Sequence, residues 1–107
     1  MSNVNFLTSD DDISRLLSSR ITKERIIQDI DQKELARRAG VSLFAVRNFE
    51  QNGKITLINL IAIVRAIRKT KIFEDLFDFE KERIDVDAFE YHEKFQDKYN
   101  KKRVRNA

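Results

Sequence analysis

Cysteine and proline are missing from this chain, glycine occurs twice and histidine once. Without cysteine there is no disulfide framework and no thiolate metal site. That fits a reducing cytosol. The two glycines, Gly40 and Gly53, supply no Gly-rich phosphate loop. Each falls where a helix is expected to stop, so both read as positional. No apolar run approaches the roughly 18 residues of a membrane span, and no secretory signal is visible. Catalytic constellations are missing too. His92 stands alone in a charged stretch and reads as solvated. No Ser/His/Asp set occurs in a recognisable context. Asp85 and Asp87 are spaced for one strand face, but nothing else marks them as an acid–base pair. No enzyme, metal or cofactor is expected.

What is present bounds the rest. A chain of 107 residues supports one domain with room for a tail. Hydrophobic residues at 41% suffice for a small core, and charged residues at 36% imply an extensive solvated surface. The net charge of +3 is laid out in blocks. Arg15 to Lys71 holds 13 basic and 5 acidic residues, net +8. Glu74 to Glu90 is net −6, His92 to Ala107 is net +4, and Asp10 to Asp12 adds −3. A basic block suits phosphate, although any charged surface is lumpy.

The most informative stretch is QKELARRAGVSLFAVRNFEQ, Gln32 to Gln51. It reads as two short helices and a tight turn. Asp31 can cap the first, with Glu34 three residues on. Leu35, Ala36 and Ala39 form its apolar stripe. Gly40 stops it and Val41 plugs the turn. Ser42 caps the second helix, which ends near Asn52 and Gly53. At about 100° per residue, Ser42, Val46 and Phe49 project to one side of that helix. Phe44, Arg47, Asn48 and Gln51 project to the other, with Leu43 between. An exposed Phe beside an Arg and an Asn serves no purpose on a plain solvated helix. In a DNA major groove Arg can take guanine's paired acceptors, Asn can pair with adenine, and apolar groups can touch the thymine methyl.

Gln32, Leu35, Ala36, Gly40, Val41, Val46 and Phe49 match the helix-turn-helix pattern of the Cro/repressor (XRE-like) DNA-binding family. The following NFEQNGKITLINLIAIVRAI resembles that family's usual continuation, and the similarity covers roughly Ser18 to Phe79. The alternative is a helical hairpin that merely packs in a core. The resemblance implies that Arg25, at the end of the first helix, pairs with Glu50 and locks the motif. Otherwise both are ordinary surface charges. Gln32 and Lys54 would hold phosphates, and Ser42, Leu43, Phe44, Arg47 and Asn48 would face bases. Lys54 could equally be a solvated loop residue. The NFEQNG segment with its basic tail is also similar to antitoxins of the HipB kind, which repress their own operon and hold a kinase-like toxin.

The flanks are less specific. Val4 and Phe6 alternate as a short strand might. Ser9 and Asp12 resemble a capping box, and the three aspartates suit a helix N-terminus better than a cation site. A helical stretch follows from Ile13 to Ile27, whole or broken near Ser18-Ser19. Thr56 can cap the next helix, with Leu57, Leu60, Ile61, Val64 and Ile67 as its buried stripe. Ile72, Phe73, Leu76, Phe77 and Phe79 read as a short apolar helix, a candidate dimer surface or ordinary core. Arg83 to Phe89 alternates as a strand or linker. Phe95, Tyr99 and the basic run after them suit a phosphate track, a docking segment or a solvated, frayed end.

The expectation is an all-α, repressor-like helix-turn-helix domain of about five helices with a short basic C-terminal extension. Its segments are 1–12, 13–79 and 80–107. The expected function is a cytoplasmic, nucleoid-associated regulator that binds a double-stranded DNA operator as a homodimer and represses transcription. The alternative is an antitoxin with a toxin protein as partner. No membrane contact is expected.

Overall fold

A computed structural model describes residues 4–82 and 88–106. The chain is all-α, with six α-helices and no strand among the described residues. It divides into two compact units, Met1–Lys71 and Ile72–Ala107.

The first unit holds four helices whose ends are fixed by local chemistry. Helix α1, Asp10–Ile27, is one unbroken helix. Ser9 caps it by accepting from the Asp12 amide at 3.0 Å, and three aspartates in the first turn face the positive end of the helix dipole. Val4 to Thr8 forms a turn closed by Asn5 and Thr8, not a strand. Helix α2, Gln32–Ala39, is capped by Asp31, which accepts from Glu34 N at 2.7 Å. It ends at Gly40 with φ +68°. Helix α3, Leu43–Asn52, is capped by Ser42 and ends at Gly53 with φ +70°. Helix α4, Leu57–Ala66, is capped by Thr56.

Two helices end without glycine. Asp29 (φ +58°) and Arg68 (φ +61°) take the left-handed conformation after α1 and α4. The amides of Ile30 and Lys69 then reach back to the carbonyls of Arg25 and Val64, at 3.2 and 3.0 Å. These are the six-to-one bonds of a Schellman ending.

The core of this unit is Ile30, Leu35, Ala36, Val46, Phe49, Ile63 and Ile67, with Ile21, Val41, Leu43 and Leu60 packed at its edge. Helix α2 lies against both α3 and α4, and α1 lies against α3. Full burial of each large apolar side chain contributes about 1.5–3 kcal/mol. Val64 and Ile67 of the expected α4 stripe are buried and Leu60 packs at the core's edge, but the stripe differs at two positions. Ile63 is fully buried, whereas Leu57 is 68% exposed. Leu57 is the first residue after the cap, where the helix has only just reached the core.

In the second unit, Ile72 to Phe79 is not a single apolar helix. A 3-10 turn, Thr70–Phe73, spans the join of the units, and α5, Phe79–Glu82, comes later. Asp78 provides the interruption: its carboxylate accepts from Lys81 N at 3.1 Å and starts α5. Ile72, Leu76, Phe77 and Phe79 are exposed, so the core-packing alternative fails for them. Arg83 to Asp87, where a strand or linker was expected, lies outside the described residues. Ala88 and Phe89 open α6, Ala88–Asn106. The basic tail is therefore helical and not frayed over most of its length. No helix among the described residues is long and apolar enough to cross a membrane.

Candidate nucleic-acid interface

The turn between α2 and α3 sets the site. A Cβ added at Gly40 would meet nothing within 4 Å, so the left-handed backbone alone requires glycine there. That sharp reversal lets Val41 and Leu43 reach the edge of the core while α3 turns its other face outward. Val46 is fully buried and Phe49 nearly so. Phe44, on the opposite side, is 76% exposed. Arg47 is exposed beside it, and Asn48 is half-buried. Leu43, expected among the base-facing residues, is half-buried against the core. Ser42 is exposed, and its hydroxyl accepts from Ala45 N at 3.0 Å.

The C-terminal end of α3 is fastened to α1. The Ser14 hydroxyl donates to the Gly53 carbonyl, and Arg15 Nη1 donates to the Gln51 carbonyl at 3.1 Å. Gly53 is needed twice over. Its φ is left-handed, and a Cβ would come within 2.8 Å of Ser14 Oγ and about 3.1 Å of the α1 backbone. Neither Ser14 nor Arg15 is legible as a partner from sequence, since they sit 39 and 36 residues from what they hold. Asp11 in turn binds Arg15 at 2.7 Å. The Arg15 hydrogen bond and charge hold the Asp11 carboxyl below its ordinary value against the cost of burial, with a smaller pull from Lys54. Of the three aspartates, Asp11 thus forms an ion pair, and the backbone amide of Asp12 donates to the Ser9 cap. No cluster among the described residues could hold a metal.

Arg25 and Glu50 form a bidentate ion pair at 2.7 and 2.9 Å, with side chains only 11% and 7% exposed. The third guanidinium nitrogen of Arg25 donates to the Ile30 carbonyl at 2.7 Å. The pair therefore joins the end of α1, the start of the α2 turn and the last turn of α3. Charges buried this deeply need every partner, and removing one strands the other.

Gln32 extends this network. Its amide nitrogen donates to Glu50 Oε1 at 2.9 Å, and its oxygen accepts from Arg47 Nε at 3.4 Å. Expected on a phosphate, Gln32 is turned toward the ion pair, with both ends of its amide engaged. Asn48 Oδ1 accepts from Asn52 Nδ2 at 2.9 Å, which leaves the Asn48 amide N–H groups free to point away from the protein. Lys54 is exposed just beyond α3.

Further basic charge lies on α2, where Arg37 and Arg38 share the Glu34 carboxylate. Hydrogen bonds from Arg37 first and Arg38 second lower the Glu34 carboxyl to about 2. Compared with protein-family models and with curated proteins, the chain matches none.

Proposed function

We propose that the protein is a transcriptional repressor that binds duplex DNA as a homodimer, with α3 in the major groove. The observation that carries this reading is the division of α3. One face is sealed in the core through Val46 and Phe49, and the other holds Phe44, Arg47 and Asn48 together at the surface. A solvated helix gains nothing from a ring exposed over three quarters of its area. A groove offers it a thymine methyl or a sugar, and offers Arg47 the O6 and N7 acceptors of guanine. Asn48 is placed to pair with adenine. Ser42 stands at the N-terminal end of α3, where its hydroxyl can still donate. Lys54 takes a phosphate, and Gln32 does so only by giving up a bond it makes within the protein. The basic first unit supplies the sequence-independent attraction. A repressor of this kind works at the nucleoid.

Binding to the DNA upstream of its own gene, titrated with salt, tests the reading. Tight binding whose log affinity falls linearly with log salt, and which unrelated duplex does not match, is the expected result. Equal affinity for both duplexes at every salt concentration would remove the sequence-reading role.

A further inference from the structure

Arg47 and Glu50 lie one turn apart on α3, a spacing at which a base and an acid can meet. Glu50 is committed elsewhere. Arg25 donates to both of its oxygens, at 2.7 Å to Oε2 and 2.9 Å to Oε1. Gln32, the first residue of α2, adds a bond from its Nε2 to Oε1 at 2.9 Å. Arg47 Nε then donates to a neutral acceptor, Gln32 Oε1, at 3.4 Å. Arg25, Glu50, Gln32 and Arg47 thus form one line of bonds from the core to the surface. Exposure rises along it: the ion pair is nearly buried, Gln32 is half-buried and Arg47 is exposed.

Each end of the Gln32 amide has one chemical choice. A carboxylate only accepts, so the amide nitrogen must face Glu50. A guanidinium only donates, so the amide oxygen must face Arg47. Both partners demand the same orientation, and exchanging the oxygen and nitrogen would spoil both bonds at once. The buried pair therefore fixes which way Gln32 points, and Gln32 offers Arg47 an oxygen in a set place.

We infer that Gln32 is a positioning residue that aims Arg47 at one base pair. This rests on the reading of α3 as the helix that meets DNA. Gln32 engages the Nε of Arg47 and leaves the N–H groups on Nη1 and Nη2 for the O6 and N7 of a guanine. A carboxylate in its place would neutralise the arginine. The amide holds the side chain and keeps its charge for the groove. A long side chain loses rotamer freedom when it docks, and a hold already present in the free protein reduces that loss. At 3.4 Å the bond is loose, so it steers Arg47 without locking it. Base preference is thereby tied to the ion pair that fastens α1 to α3.

Gln32→Met keeps the length of the side chain and removes both bonds. Glu50 retains Arg25, so the full chain should stay folded, and Gln32→Ala measured alongside guards against a misfit of the Met side chain. The first measurement needs no DNA. By NMR, the Arg47 Nε–H of the free protein should exchange with water faster in Gln32→Met than in the unaltered chain. Equal exchange overturns the hold. The second measurement is affinity at one salt concentration on single-base variants of the DNA upstream of the protein's own gene. Gln32→Met and Gln32→Ala should each relax preference by about fivefold or more at the base pair where Arg47→Ala does. In the Arg47→Ala background they should leave the relative affinities unchanged. A uniform loss on every sequence would put Gln32 on phosphate and overturn the inference. So would relaxed preference at a different base pair, or a loss of preference that persists without Arg47. These outcomes leave base reading by Arg47 standing. A uniform loss from Arg47→Ala itself would instead remove that reading, and the inference with it.

Discussion

The two units are held together by opposite means. In Met1–Lys71 each α-helix is capped at its N-terminus by a side chain, each closes on a left-handed residue or an equivalent turn, and seven buried apolar residues make one cluster. In Ile72–Ala107 no described residue is buried, and large apolar side chains stand exposed on charged segments. The first unit has its interior within one chain. The second presents faces without one. On the first unit Phe44 faces outward and takes no part in the core.

Removal of a charge from the buried pair sharpens this contrast most. Glu50→Ala strands Arg25 and should destabilise the first unit by about 3–5 kcal/mol in chemical denaturation. Leu35→Ala should cost about 2–5 kcal/mol. Phe95→Ala, in the second unit, should leave the unfolding of the first unchanged. A comparable loss from Phe95→Ala would erase the distinction between the units.

The glycines grade the next effect. Gly40→Ala meets only left-handed strain, about 1–2 kcal/mol. Gly53→Ala meets the same strain and a clash with Ser14 and the α1 backbone, so it should unfold at lower denaturant than Gly40→Ala. The non-glycine endings run the other way. Arg68→Gly relieves a left-handed arginine and should stabilise by up to about 1 kcal/mol, after the added freedom of the unfolded chain is subtracted.

Much of the first unit is legible in its sequence because its signals are local. Asp31, Gly40, Ser42, Gly53 and Thr56 act within a turn of where they sit. The Arg25 and Glu50 contact is not local, and only the family resemblance suggested it. Ser14, Arg15 and the inward turn of Gln32 were not legible, since each depends on packing between distant segments. Ile63 was missed because it lies beside Leu60, Val64 and Ile67 on the same face of α4, one helical position outside the expected stripe. In the second unit the four-residue spacing of Phe95 and Tyr99 was visible, but a polar composition suggested a frayed end. Composition misleads where a helix carries only a narrow aromatic stripe.

The smallest effect is electrostatic. The Glu34 carboxyl is held at about 2, below its ordinary 4.5, so the folded state favours its ionised form. Its contribution is complete above about pH 4.5 and is lost as pH falls toward 2. Carboxyl titration followed by NMR should place Glu34 well below its ordinary 4.5. Arg37→Ala should return it part of the way, with Arg38 still bound.

The most direct test sets Arg47 beside Phe44 on the outer face of α3. Phe44→Ala should weaken operator binding while changing stability by less than about 0.5 kcal/mol. For Arg47→Ala, affinities are measured on a panel of single-base operator variants at one salt concentration. The expected result is a loss of about 1–3 kcal/mol on the preferred operator, with preference relaxed at one base pair. A uniform loss across every sequence would put Arg47 on phosphate and contradict base reading by the outer face of α3.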